Sequence, residues 1–201
     1  MKDVNIAMKI MRFTIAAVFF LLICSFVKGQ TVDFKWYSET ANNGIIIQNS
    51  FPKGGPYKGS TSRNYNHSYL VFFTRIINKT GDPLGLTVNF SADSIAIPNS
   101  PETYVKLFLP LDTMTLDKRS LFSYGLTELE SLEQPTKFTR EIHPNEDCLF
   151  YVVAIFYQTN AGAWNQERGG NRAELILTGQ GLFYRMLPQI DLLPCGHIVF
   201  D

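Results

Sequence analysis

Histidine, cysteine and tryptophan are scarce in this chain, with three, three and two residues among 201. The histidines and cysteines fall in none of the spacings that hold zinc, and no His-Glu-x-x-His occurs. No Gly-x-Ser-x-Gly is present, so the nucleophile elbow of an α/β-hydrolase is missing. Excess charge of one sign is missing too: 18 Lys and Arg balance 18 Asp and Glu. A chain with no basic surplus has little with which to track phosphates, which argues against nucleic acid as a partner. Lys58-Gly59-Ser60 carries the residues of a phosphate loop in the wrong order, and no helical pattern follows it. There is no internal repeat and no low-complexity tract.

The first 29 residues read as a signal peptide. Lys2, Lys9 and Arg12 make a basic start, residues 13–27 carry no charge, and Val27-Lys28-Gly29 offers a cleavage site. The uncharged stretch is shorter than the ~20 residues a spanning helix needs. Cleavage is therefore expected rather than anchoring, with no membrane attachment afterwards. Residues 30–201 are then a single exported domain, secreted or periplasmic, with 172 residues and a net charge of −3. That length suits one well-filled core.

What fills the chain is strand pattern. Residues 149–158 are apolar or aromatic at every position but the last. Leu149, Tyr151, Val153, Ile155 and Tyr157 face one way; Phe150, Val152, Ala154 and Phe156 face the other. A strand without a solvent face is a central strand covered on both sides. Residues 69–78 have the same character. Shorter strands are expected at 32–36, 45–47, 86–90, 105–109, 138–142, 173–178 and 198–200, with a short edge piece at 95–97. Residues 79–83 form a Gly-containing turn, so 69–78 and 86–90 are expected to pair as a hairpin. Phe122, Leu126, Leu129 and Leu132 fall near helical spacing, which predicts one short helix near 117–134. Two long polar loops, 51–68 and 159–172, interrupt the strands.

Many short strands with Gly-, Pro- and Asn-rich turns give an all-β class, most simply an antiparallel β-sandwich. One helix makes no βαβ unit, and a closed barrel is the competing architecture. The order Cys148, Trp164, Cys195 is similar to that of an immunoglobulin domain. Trp164 lies in a loop, however, and Leu193 stands where the tyrosine corner would be. The expectation is Ig-like architecture in the broad sense, not a true Ig domain.

Cys148 and Cys195 remain after cleavage, and an even count in an exported chain predicts one disulfide. That bridge would bring Asp147 towards His197. With His143 they make the metal-capable set, the basis for reading the chain as a small secreted hydrolase. Tyr57, Tyr65 and Trp164 are the ligand-binding candidates, aromatic residues set among Gly, Asn, Ser and Arg in the long loops. Such rings stack on sugars or anchor a protein partner, or else fold back as a lid on the core. Asn66, Asn78 and Asn89 each open an Asn-x-Ser/Thr acceptor, which would put them at the surface of an exported eukaryotic chain.

The resulting expectation is an exported, non-catalytic binding, accessory or adhesion module without a cofactor, its partner a glycan or a protein. The competing readings are the hydrolase with a metal near His143, Asp147 and His197, and a structural subunit of an envelope or extracellular assembly.

Overall fold

The computed structural model describes residues 34–57, 68–98, 103–127, 129, 135–158, 172–187 and 190–200. The chain falls into two units, Met1–Phe34 and Lys35–Asp201, and every described strand belongs to the second. The expected signal peptide lies outside the described residues. Among those residues, no helix is long and apolar enough to cross a membrane.

The strands are numbered in chain order and form two antiparallel sheets. The first sheet runs β1 (Ser38–Asn42), β2 (Ile45–Asn49), β4 (Ser68–Asn78), β9 (Asp147–Gln158), β7 (Thr103–Phe108) and β6 (Ile95–Ala96). β3 (Lys53–Pro56) pairs with the first half of β4, on the side that β2 occupies further along. The second sheet runs β10 (Arg172–Thr178), β11 (Gly181–Leu187), β12 (Ile190–Phe200), β5 (Leu84–Asn89) and β8 (Lys137–Ile142). The fold is thus the all-β antiparallel sandwich that the alternation predicts.

β9 is central, paired with β4 on one side and β7 on the other. Residues 150–156 are all buried. The inward set, Phe150, Val152, Ala154 and Phe156, joins the core between the sheets with Phe72 and Ile76 of β4 and Leu84, Leu86 and Val88 of β5. Of the outward set, Tyr151, Val153 and Ile155 are buried, and a segment that crosses the sheet, rather than a third sheet, lies over Tyr151. Tyr151 Oη donates to the Tyr124 carbonyl at 2.7 Å, and the Tyr124 ring meets Phe73 edge-on at 4.7 Å. Phe108, Met114, Leu126 and Leu129 are buried in the same outer layer.

This covering segment replaces the expected helix. It holds two 3-10 turns, Leu116–Ser120 and Phe122–Gly125, and no α-helix forms among the described residues. Ser123, Tyr124 and Gly125 all have positive φ, at 46°, 55° and 73°. Right-handed helix cannot pass through three such residues. The left-handed conformation is held from outside. Tyr124 Oη donates to the Phe51 carbonyl at 2.6 Å, Ser123 Oγ bonds Tyr69 Oη at 3.0 Å, and Lys53 Nζ donates to the Arg119 and Leu121 carbonyls. The same ammonium lies 4.3 Å from the Tyr124 ring centroid. Partial burial lowers the Lys53 pKa, and burial raises that of Tyr124.

Two further expectations are corrected. Residues 34–36 are not strand; the first strand begins at Ser38. β4 and β5 are not a hairpin either, because the turn at 79–83 carries the chain from one sheet to the other. Asn78 fixes that crossing. Its side chain is fully buried; it donates to the Asp82 and Ile142 carbonyls and accepts from the Thr80 amide and hydroxyl. The Asn78-Lys79-Thr80 acceptor motif is therefore not a surface site, whereas Asn89 is exposed. Asn66 lies outside the described residues.

The two sheets are also tied by Asn49. From β2 its amide oxygen accepts the Leu175 N–H of β10 at 3.0 Å, and its nitrogen donates to the Leu175 carbonyl at 3.3 Å. The side chain thus does for this edge strand what a neighbouring backbone would do.

Candidate functional site

The expected disulfide does not form: Cys148 and Cys195 are free, buried thiols. Cys148 enters the core from the first sheet, opposite Ile76. Cys195 enters from the second, beside Gly196, which pairs with Val88. A bridge needs Cα atoms within about 7 Å. Packed sheets stand about 10 Å apart, so only directly opposed positions can be joined. Each thiol instead packs as a small apolar side chain. Burial pushes the Cys148 pKa up to about 11 and that of Cys195 up to about 12, because the core penalises a thiolate. Neither is a poised nucleophile.

The metal-capable set is not assembled either. His143 is exposed, its Nδ1 3.6 Å from Glu141 Oε1. The Asp147 carboxylate is taken by Arg75, whose Nε lies 2.5 Å from Oδ2. His197 is exposed on the second sheet, opposite Thr87 and Gly181. Among the described residues no three metal-capable side chains gather.

Of the three aromatic candidates, Tyr57 is buried at 7 % exposure, the lid arrangement rather than a contact surface. Tyr65 and Trp164 lie outside the described residues. The outer face of the first sheet does carry aromatic residues in a usable arrangement. Tyr104 of β7 and Tyr157 of β9 are directly cross-strand partners. Both point outward, since their neighbours Val105 and Phe156 point into the core. Their rings stack, with centroids 5.6 Å apart and planes 20° from parallel. Both are half-buried.

Tyr157 Oη is hydrogen-bonded to Ser94 Oγ, which fixes one ring. The Tyr104 hydroxyl makes no hydrogen bond among the described residues. One row further along, Tyr69 and Lys106 flank Ile155 from β4 and β7. The surface is therefore a fixed ring, a second ring whose hydroxyl has no partner among the described residues, and a lysine two residues along β7. Such a surface can stack on an apolar sugar face and hydrogen-bond at its edge. Two signals in the sequence point to it: the alternation places Tyr157 outward, and Tyr104 alternates with Val105 in the same way.

No protein-family model matches the chain, and no curated protein or solved structure matches it either.

Proposed function

We propose that the chain is an exported, non-catalytic binding module, and that the outward Tyr104–Tyr157 pair is its ligand-contacting surface. The ligand class is a glycan. The stacked, half-buried and outward-pointing Tyr104–Tyr157 pair carries this reading. An aromatic pair buried only for stability would be sealed over, as Tyr151 and Tyr124 are at 0 % and 1 % exposure. The rings sit on paired strands, so their positions are set by the sheet and little order is lost on binding. Export rests on the basic, then uncharged, then cleavable layout of residues 1–29.

The test is a glycan array with the wild-type chain, Tyr104→Ala and Tyr104→Phe. Selective binding is expected for wild type. It should disappear in Tyr104→Ala and weaken in Tyr104→Phe, with thermal stability nearly unchanged in both. A blank array for wild type, or undiminished binding by Tyr104→Ala, overturns the assignment.

A further inference from the structure

At the far end of β9 from Tyr157, about 30 Å away at a strand's rise, lies a cleft of about 400 Å³. Its lining includes Arg75, Lys79, Arg140, Asn145, Glu146 and Asp147. We propose that this cleft binds an oxyanion: a carboxylate, sulfate or phosphate group.

The argument turns on which charges are already committed. Asp147 is held by Arg75, which also donates to Gln48 Oε1 at 3.3 Å. Glu146 Oε2 accepts the His143 backbone N–H at 3.0 Å. Both carboxylates are thus engaged with the protein. Lys79 and Arg140 are exposed, and neither side chain makes a hydrogen bond or ion pair among the described residues. The Asn145 amide is likewise unengaged. The cleft therefore offers an ammonium, a guanidinium and an amide N–H donor, and its lining sets three cationic side chains, Arg75, Lys79 and Arg140, against two carboxylates, Glu146 and Asp147. A guanidinium takes an oxyanion through two parallel hydrogen bonds, and an ammonium adds a point charge.

The backbone beneath these donors is fixed. Asn78 donates its N–H to the Glu146 carbonyl at 2.9 Å and accepts from the Asn145 N–H at 2.8 Å. Lys79 N–H donates to the Gly44 carbonyl at 2.7 Å. The buried Asn78 side chain locks the same corner. Lys79 and Asn145 are consequently held on one rigid junction, and less order is lost when a ligand closes onto them.

A free inorganic anion and an acidic group on a glycan share this chemistry, and titration calorimetry of the full chain tells them apart. Sodium sulfate is one arm and a sulfated oligosaccharide the other, at constant ionic strength. Saturable binding is expected. Arg140→Gln should weaken it about tenfold, and adding Lys79→Gln by about tenfold more. Lys137→Gln, on the same strand outside the cleft, should leave it unchanged. Tighter binding of the oligosaccharide assigns the glycan; equal binding of the sulfate group assigns the free anion. The inference fails if neither anion saturates, if the double variant binds like wild type, or if Lys137→Gln weakens binding as much as Arg140→Gln. Tyr104→Ala should leave this site intact, so its fate is separate from that of the tyrosine surface.

Discussion

Replacing Asn49 by Ala should loosen the sandwich at one corner. The amide makes four hydrogen bonds: with the Leu175 N–H and carbonyl, with Thr74 Oγ1 at 3.0 Å and with Ser38 Oγ at 3.2 Å. Asn49 is 2 % exposed, Thr74 is also 2 % exposed, and Leu175 is 1 % exposed. Truncation therefore strands two backbone groups and one hydroxyl away from water. Each orphaned group costs about 1–3 kcal/mol. Water entry at the sheet edge relieves some of that, and Ser38 lies nearer solvent and loses little. A net loss of about 3–4 kcal/mol is expected, roughly 6–16 °C in Tm for a chain of this size. Urea unfolding followed by tryptophan fluorescence gives the free energy. Hydrogen exchange at Leu175 reports the corner itself, and its amide should exchange faster than those of β9. If the variant lies within about 1 kcal/mol of wild type, a cost below that of a single orphaned group, with Leu175 still protected, the amide does not hold the sheets together.

Gly196 and Gly179 should respond very differently to alanine. At Gly196, φ is +149° and a Cβ would stand 2.0 Å from the Thr87 carbonyl oxygen, so a loss of about 3–5 kcal/mol is expected. At Gly179, φ is +62° with nothing within 4 Å, and about 1 kcal/mol is expected. Similar losses in thermal denaturation would contradict the close approach of β12 and β5. The thiols make a pH prediction. Their folded pKa values, about 11 and about 12, lie above the ordinary thiol value, so the folded state binds more protons. Their contribution is complete below about pH 8.5 and is lost as pH rises towards those raised values. Stability should decline from that point. The double variant Cys148→Ala, Cys195→Ala should flatten the early part of the decline, and an unchanged slope in pH-dependent urea melts would refute the assignment.

Residues 149–158 showed their place because a strand apolar on both faces has only one environment to occupy. The sequence could not show what covered its outer face. Phe122, Leu126 and Leu129 keep an approximately helical spacing, yet Ser123, Tyr124 and Gly125 turn left-handed. The groups that hold them there, Lys53, Tyr69 and Tyr151, are far away along the chain. The supposed hairpin failed for a similar reason. Thr80-Gly81-Asp82 has ordinary turn chemistry, and the partner that diverts the chain is the Ile142 carbonyl on Asn78. The disulfide was inferred from compartment and parity of count, neither of which speaks to whether two core positions face each other. Loop composition pointed to Tyr57, which is buried. Tyr104 and Tyr157 looked like ordinary alternating strand residues, and only cross-strand register reveals that they meet.

The position of β12 governs the order in which the molecule can be completed. Residues 190–200 lie between β11 and β5, so among the described strands it is they that join the β10–β11 ribbon to the β5–β8 ribbon. During synthesis the first sheet has all its strands once residue 158 is available. The second stays in two pieces until nearly forty more residues have followed. Until then the inner face of β9 has only part of its cover, and greasy surface waits for β12. Closure through contacts as distant in sequence as those of β12 with β5 is slow by nature. A chain cut short before Ile190 would keep its central strand and leave the layer that hides it in two unjoined halves.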